Sequence, residues 1–268
     1  MARAPATEGT QRPHRFRSAV ALGFSLANAG ILQKVSLVLV VLTVFGAAGV
    51  ALALLSGDAP PMADIPPVTA AAIAWGGGFT FAIAAAAHAF DRDAHSGVVA
   101  LAQARGLSTS TYALGRVIGL AVALTLVVAV GTLLVGALCA AVAPAPKASV
   151  LATTAASLPY ALAFGFVLAP LCAATVGTRS RSRGYLVLIA LLLVPEIAQS
   201  SLDAVPVRWR VLVGIPSAMA ALRDSLMPSH LDLPLAGAAA AVMVLVALAA
   251  TAFALEAATH AAKVENAR

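Results

Sequence analysis

Charge is scarce in this 268-residue chain: Asp, Glu, Lys and Arg together make up 10% of it, against about 25% in an ordinary soluble domain. A water-soluble fold needs polar groups to cover its surface, so that class is excluded. Aromatic residues are few as well, at 5%. Two cysteines occur, Cys139 and Cys172, both inside apolar runs. That leaves no disulfide framework and no thiolate metal site, and both read as packing residues. Five histidines (His14, His88, His95, His230 and His260) are scattered without metal-ligand spacing. No G-x-x-x-x-G-K-[ST] phosphate loop, no H-E-x-x-H and no G-x-S-x-G occurs anywhere. The chain is therefore not expected to hydrolyse ATP itself, to bind a metal or cofactor, or to be an enzyme.

What is present is apolar. Hydrophobic residues make up 61% of the chain and the mean hydropathy is +0.95. Ala, Val, Leu and Gly dominate, and small residues let helix backbones approach closely in lipid, where no hydrophobic effect drives helices together. Six segments reach the roughly 20 residues needed to cross a bilayer: 35–56, 67–90, 117–142, 150–176, 185–202 and 233–255. The expected fold is an all-α membrane protein, with a single transmembrane domain over 34–258. The third and fourth spans are joined only by Pro144-Ala145-Pro146-Lys147, which makes them antiparallel neighbours.

The ends read differently. Residues 1–13 are Pro, Ala, Thr and Arg without period and are expected to be disordered. From 14 to 33 the pattern turns helical, with Phe16, Val20 and Phe24 near one face and Arg15, Ser18, Ser25 and Asn28 off it. This is an amphipathic helix expected to lie at the membrane interface. Basic residues before an apolar stretch resemble a signal peptide, but 35–56 is too long for its apolar region and lacks a cleavage site. Residues 259–268 form a short tail.

The formal charge is +6 and the sequence pI is about 10.0. In a soluble protein that balance would suggest nucleic acid. Here the basic residues flank spans, so membrane lipids are the expected partner and nucleic acid is not. With the N-terminus inside, all of the 17 Lys and Arg residues except Lys147, Arg208, Arg210 and Arg223 fall on the cytoplasmic side. The positive-inside rule then puts both termini in the cytoplasm. The Ala-rich composition fits a bacterial plasma membrane.

Intramembrane hydrolysis or ion coupling needs ionisable groups at depth. The one acidic residue placed there is Glu196, beside Pro195, which could unwind the fifth span locally. Glu196 is thus a possible intramembrane polar site, or a carboxylate near the outer headgroups. Two connections exceed a hairpin's needs, 91–116 and 203–232, and long loops tend to be functional. The first opens on Asp91, Arg92 and Asp93 and reaches Gly97. Val98, Leu101 and Arg105 follow at helical spacing, Gly106 ends the turn, and Ser108 to Thr111 can cap a new helix. It reads as a short helix at the inner face, with an apolar ridge for a partner's groove.

That layout resembles the ABC-2 type permeases, the membrane subunits of ATP-binding cassette exporters. The resemblance rests on six spans, an amphipathic helix before the first, and a coupling segment between the second and third. It is carried by Asp91-Arg92-Asp93, Gly97-Val98-Val99 and Gly115-Arg116. The chain differs in having His95 where an acid is usual, Gly106 where Pro is common, and Thr109 near the usual Arg. The stretch Gly214-Ile215-Pro216 through Leu226 is similar to the short external helices that precede the family's last span, with Ala218, Leu222 and Leu226 inward and Arg223 and Asp224 outward. The resemblance implies a permease dimer, of two copies or with a paralogue, driven by a separate cytoplasmic ABC ATPase subunit. It implies ATPase docking through Asp93, Val98, Leu101 and Arg105, with Phe16, Val20 and Phe24 seating the interfacial helix. From the residues alone, a membrane scaffold for a cytoplasmic partner and a small ion-coupled carrier remain alternatives.

Overall fold

The computed structural model describes residues 8–28, 30–53, 62–87, 90, 93, 96–143, 147–177 and 181–266. Among them every regular element is helical. Six helices are long and apolar enough to cross a membrane: Gln33–Leu52, Met62–Ala86, Thr109–Val142, Lys147–Thr175, Arg183–Ser201 and Leu233–His260. The chain is a multi-pass membrane bundle. Residues 1–7, the hairpin tip at 144–146, and Asp91, Arg92 and His95 lie outside the described residues, as do the side chains of residues 8–15.

The six spans fall into two layers of burial. The second, third and fourth are half to two-thirds buried, whereas the first, fifth and sixth are 17%, 17% and 22% buried. The inner trio holds the largest buried side chains, among them Ile73, Phe81, Leu124, Val128, Tyr160, Phe164 and Leu168. The outer trio exposes Val38, Leu42, Phe45, Leu186, Val194, Leu245 and Phe253. In water so many exposed apolar side chains could not persist; facing acyl chains they carry no penalty.

The spans are less regular than their composition implies. The second is α-helical over Ile65–Ile73, turns π-helical over Ala74–Gly78, and resumes as Phe79–Ala86. Within that turn Gly77 passes close to the first span, since an added Cβ would lie 2.8 Å from the Ser36 carbonyl oxygen. The helix stops at Ala87, whose ψ of 117° is extended, three residues before the expected end. The fourth span continues from Lys147–Ala156 into Leu158–Thr175 through Ser157, whose backbone stays helical and whose N–H donates to the Thr153 carbonyl at 3.1 Å. Pro159 has no N–H to donate back along the helix and leaves one gap in the ladder there. The third span starts at Thr109, eight residues before the expected 117, and runs 34 residues. At about 51 Å it outreaches the roughly 30 Å hydrocarbon core.

The N-terminal helix α1 (Glu8–Ala27) packs along the first half of the third span. Ala19, Gly23 and Ala27 are buried there, facing Gly115 and Gly119. The backbones nearly touch: a Cβ on Gly115 would lie 2.7 Å from the Ala19 Cβ, and one on Gly119 would lie 2.5 Å from the Gly23 carbonyl carbon. This is small-residue packing of the kind that associates helices in lipid. Phe16 and Phe24 stay exposed and Val20 half-buried. The helix therefore has a third side, of small residues, that a two-faced reading lacked. The phenylalanines are left for whatever surrounds the bundle. We call the face of the bundle that carries α1 basal, and the other distal.

Candidate functional site

The basal segment between the second and third spans is built around one buried carboxylate. Asp93 is 4% exposed. It accepts a hydrogen bond from the Tyr112 hydroxyl, one from Arg116 Nε at 2.8 Å, and one from Arg116 Nη2 at 3.4 Å. Tyr112 and Arg116 stand one turn apart on the third span, so their side chains leave the same helix face. The acidic residue closes the loop 91–116 onto the helix that follows it. Asp93 was expected to face a partner; its carboxylate instead points into the bundle, because an unpaired Arg116 there would be a buried charge. Asp93 is an anchor; Tyr112 went unnoticed in the sequence, and Arg116 stood out there only as part of Gly115-Arg116, not as the partner of Asp93.

From that anchor the chain builds the helix Val98–Ala104, α5, which follows Phe79–Ala86 as the fifth α-helix among the described residues. Gly97 and Gly106 bracket it with φ of 73° and 76°, left-handed values that only glycine adopts without strain. At the C-terminal end the Gly106 N–H donates to the Gln103 carbonyl at 2.8 Å and the Leu107 N–H to that of Ala102 at 3.0 Å, which reverses the chain. Ser108 then caps the third span, its Oγ accepting from the Thr111 N–H at 3.2 Å. Gln103 Nε2 donates to Thr109 Oγ1 at 3.1 Å, tying α5 to the same cap. Both the glycine stop and the serine cap agree with the sequence expectation.

The faces of α5 are distinct. Ala102 is buried against the bundle, Val98 is half-buried, and Leu101 and Arg105 are exposed, Leu101 by 56%. Leu101 and Arg105 are i and i+4, one above the other on the free face. Of the four expected docking residues, the structure brings Val98, Leu101 and Arg105 onto one short helix and its C-cap and sets Asp93 behind it.

Glu196 lies at the opposite, distal end of the fifth span. Its Oε1 accepts from the Ser217 backbone N–H at 2.7 Å, and its Oε2 from Gln199 Nε2 at 2.7 Å and from the Ser217 hydroxyl. Ser217 is the third residue of the distal helix Ile215–Asp224, whose flanking Gly214 offers no capping side chain. The carboxylate of another span does the capping, at the positive end of the helix dipole. Gly214 is glycine because a Cβ would overlap that carboxylate. The helix Arg181–Ala198 runs through Pro195 without breaking. Accepting two hydrogen bonds from Ser217 of the distal helix and one from Gln199 at the end of its own span, Glu196 joins two elements.

The distal helix also corrects an expectation. Ala218 and Leu222 are buried as expected and Asp224 is outward at 59% exposure, but Arg223 turns in. It donates to the Pro67 carbonyl oxygen at 3.2 Å, sits 5.6 Å from the Tyr160 ring centroid, and pairs with Asp224 at 2.7 Å. A guanidinium on a mostly apolar helix beside a single acid satisfies its donors by reaching the second and fourth spans. Its flat face then rests on an aromatic ring.

Cys139 and Cys172 are both buried and free. Among the described residues no three His, Cys, Asp or Glu side chains come together as a metal site. No model of a known protein family matches the chain, and no curated protein matches it either.

Proposed function

We propose that this chain is the permease subunit of an ABC-2 type ATP-binding cassette transporter, working as a dimer and driven by a separate ATPase. The observation that carries the reading is α5. It is a seven-residue helix whose free face holds Leu101 and Arg105 and whose root is pinned by Asp93 to Arg116. A partner pressing on Leu101 pushes through Gln103–Thr109 and Asp93–Arg116 into the basal end of the third span. That span is the long central helix that packs on the first, second, fourth and sixth and on α1. A displacement at α5 thus has two side-chain routes to the third span, through Gln103–Thr109 and Asp93–Arg116.

In this reading the basal face is cytoplasmic, as the distribution of Lys and Arg favours, and the membrane is a bacterial plasma membrane. ATP binding closes the partner subunits and α5 follows, so the dimer interface alternates between two states. Chemistry belongs to the ATPase, and this chain supplies the pathway. The three hydrogen bonds that Glu196 accepts, two of them from Ser217, disfavour an ion-coupled carrier, which needs a carboxylate free to exchange its ligand.

The test is purification of the chain from its native membrane in mild detergent, with mass spectrometry of what co-elutes. A stoichiometric subunit carrying a phosphate loop is expected. Recovery without any nucleotide-binding partner overturns the reading.

A further inference from the structure

On the flank of the bundle a groove of about 690 Å³ runs between the fourth, fifth and sixth spans. Leu171 and Thr175 form its floor, Val187 and Leu191 one wall, Val246 and Phe253 the other. Leu191 and Phe253 are exposed, so the groove opens sideways, at the depth of the spans. Its distal end is closed by Pro195 and Ile215, beside the Glu196 joint. Its basal end carries Glu256 and His260, 3.9 Å apart.

Two observations identify the occupant. The first is polarity: an apolar groove stays dry, and one that opens into a bilayer meets acyl chains. The second is charge at the right depth. Glu256 lies about 35 Å along the helix from Leu233, just beyond the ~30 Å hydrocarbon core, at headgroup level. Arg183 is exposed one turn before the wall residue Val187, on the same face of the fifth span and toward its basal end. An anion on the sixth span and a cation on the fifth, both toward the basal end, match a zwitterion.

We propose that the groove binds one phospholipid with an amine-bearing headgroup. Its acyl chain lies along Leu171, Leu191 and Phe253, its ammonium meets Glu256, and its phosphate meets Arg183. The site rests on the chain being in a bilayer and not on an ATPase partner, so the two readings fail separately.

The experiment reconstitutes the full chain in vesicles of equimolar phosphatidylethanolamine and phosphatidylglycerol, re-extracts it in mild detergent, and counts retained lipid by native mass spectrometry. Wild type is expected to keep one lipid per chain and to favour the ethanolamine headgroup about threefold, the scale of an exposed ion pair. Ala249→Trp puts an indole into the groove from an exposed wall position and should lose most of the retained lipid. Val187→Phe does the same from the opposite wall, should the first variant fold poorly. Glu256→Gln should keep the lipid and lose the headgroup preference. Equal retention by wild type and both wall variants overturns the site, and equal retention of the two headgroups by wild type overturns its selectivity. A disulfide formed between copies through Phe253→Cys, with no lipid retained, assigns the groove to a second chain instead.

Discussion

If Asp93 anchors the coupling segment to the third span, the Asp93–Arg116 pair should show a large and non-additive energy. The two side chains are 5% and 10% exposed, 2.8 Å apart at closest, so the pair belongs with buried ion pairs and not with solvent-screened ones. Asp93→Asn keeps the shape and a hydrogen bond for Tyr112 but leaves the Arg116 guanidinium uncompensated. Breaking a buried pair from one side costs about 3–5 kcal/mol. Arg116→Met leaves Asp93 with Tyr112 as its remaining side-chain donor and should cost a similar amount. The double variant removes both charges, so its loss should fall short of the sum of the singles by at least about 1.5 kcal/mol. Thermal unfolding in detergent reads this directly, with each single variant lowering Tm by about 6 °C or more at 2–4 °C per kcal/mol. Limited proteolysis of 93–107 should rise in the singles and return toward wild type in the double. Singles that each lose under about 1 kcal/mol and add linearly would refute the anchor and return Asp93 to the surface.

The other predictions follow the same contacts. Leu101→Asp changes an exposed position, so Tm should stay within the ~0.5 kcal/mol typical of surface substitutions, while ATP turnover by the purified complex loses its substrate stimulation. Full stimulation in that variant would sink the docking assignment. Glu196→Ala should lower stability by about 1–2 kcal/mol, the cost of a lost helix cap, seen as a Tm shift. Glu196→Gln, which can still accept from the Ser217 N–H, should lose less and leave transport insensitive to an imposed ion gradient. Gly115→Val forces side-chain carbons into the Ala19 contact and should cost about 1–3 kcal/mol. A cysteine pair placed across α1 and the third span should then cross-link more slowly. Arg223→Gln loses the ring contact and the charge, and should release the distal helix, detected as faster hydrogen exchange over 215–224.

Much of this architecture is written one-dimensionally. Six apolar runs, a short charged tip between the third and fourth, and 10% charge determine a six-span helical bundle, because a bilayer leaves the backbone few other ways to satisfy itself. Local chemistry is legible for the same reason. Gly97, Gly106 and Ser108 act through their own backbone and nearest neighbours, so the stop and the cap around α5 could be placed from residues within one turn. What the sequence could not determine is which polar groups face each other across spans. Asp93, Arg223 and Glu196 have partners 23, 156 and 21 positions away, and nothing local marks whether such a side chain turns outward to solvent or inward to a distant donor. Periodicity left the packing side of α1 unread because it weighs side-chain bulk, whereas the contact with the third span is made by residues that have almost none. Tertiary structure decided these points, since in lipid a charge settles where its hydrogen bonds are met and a backbone settles where nothing stands in the way.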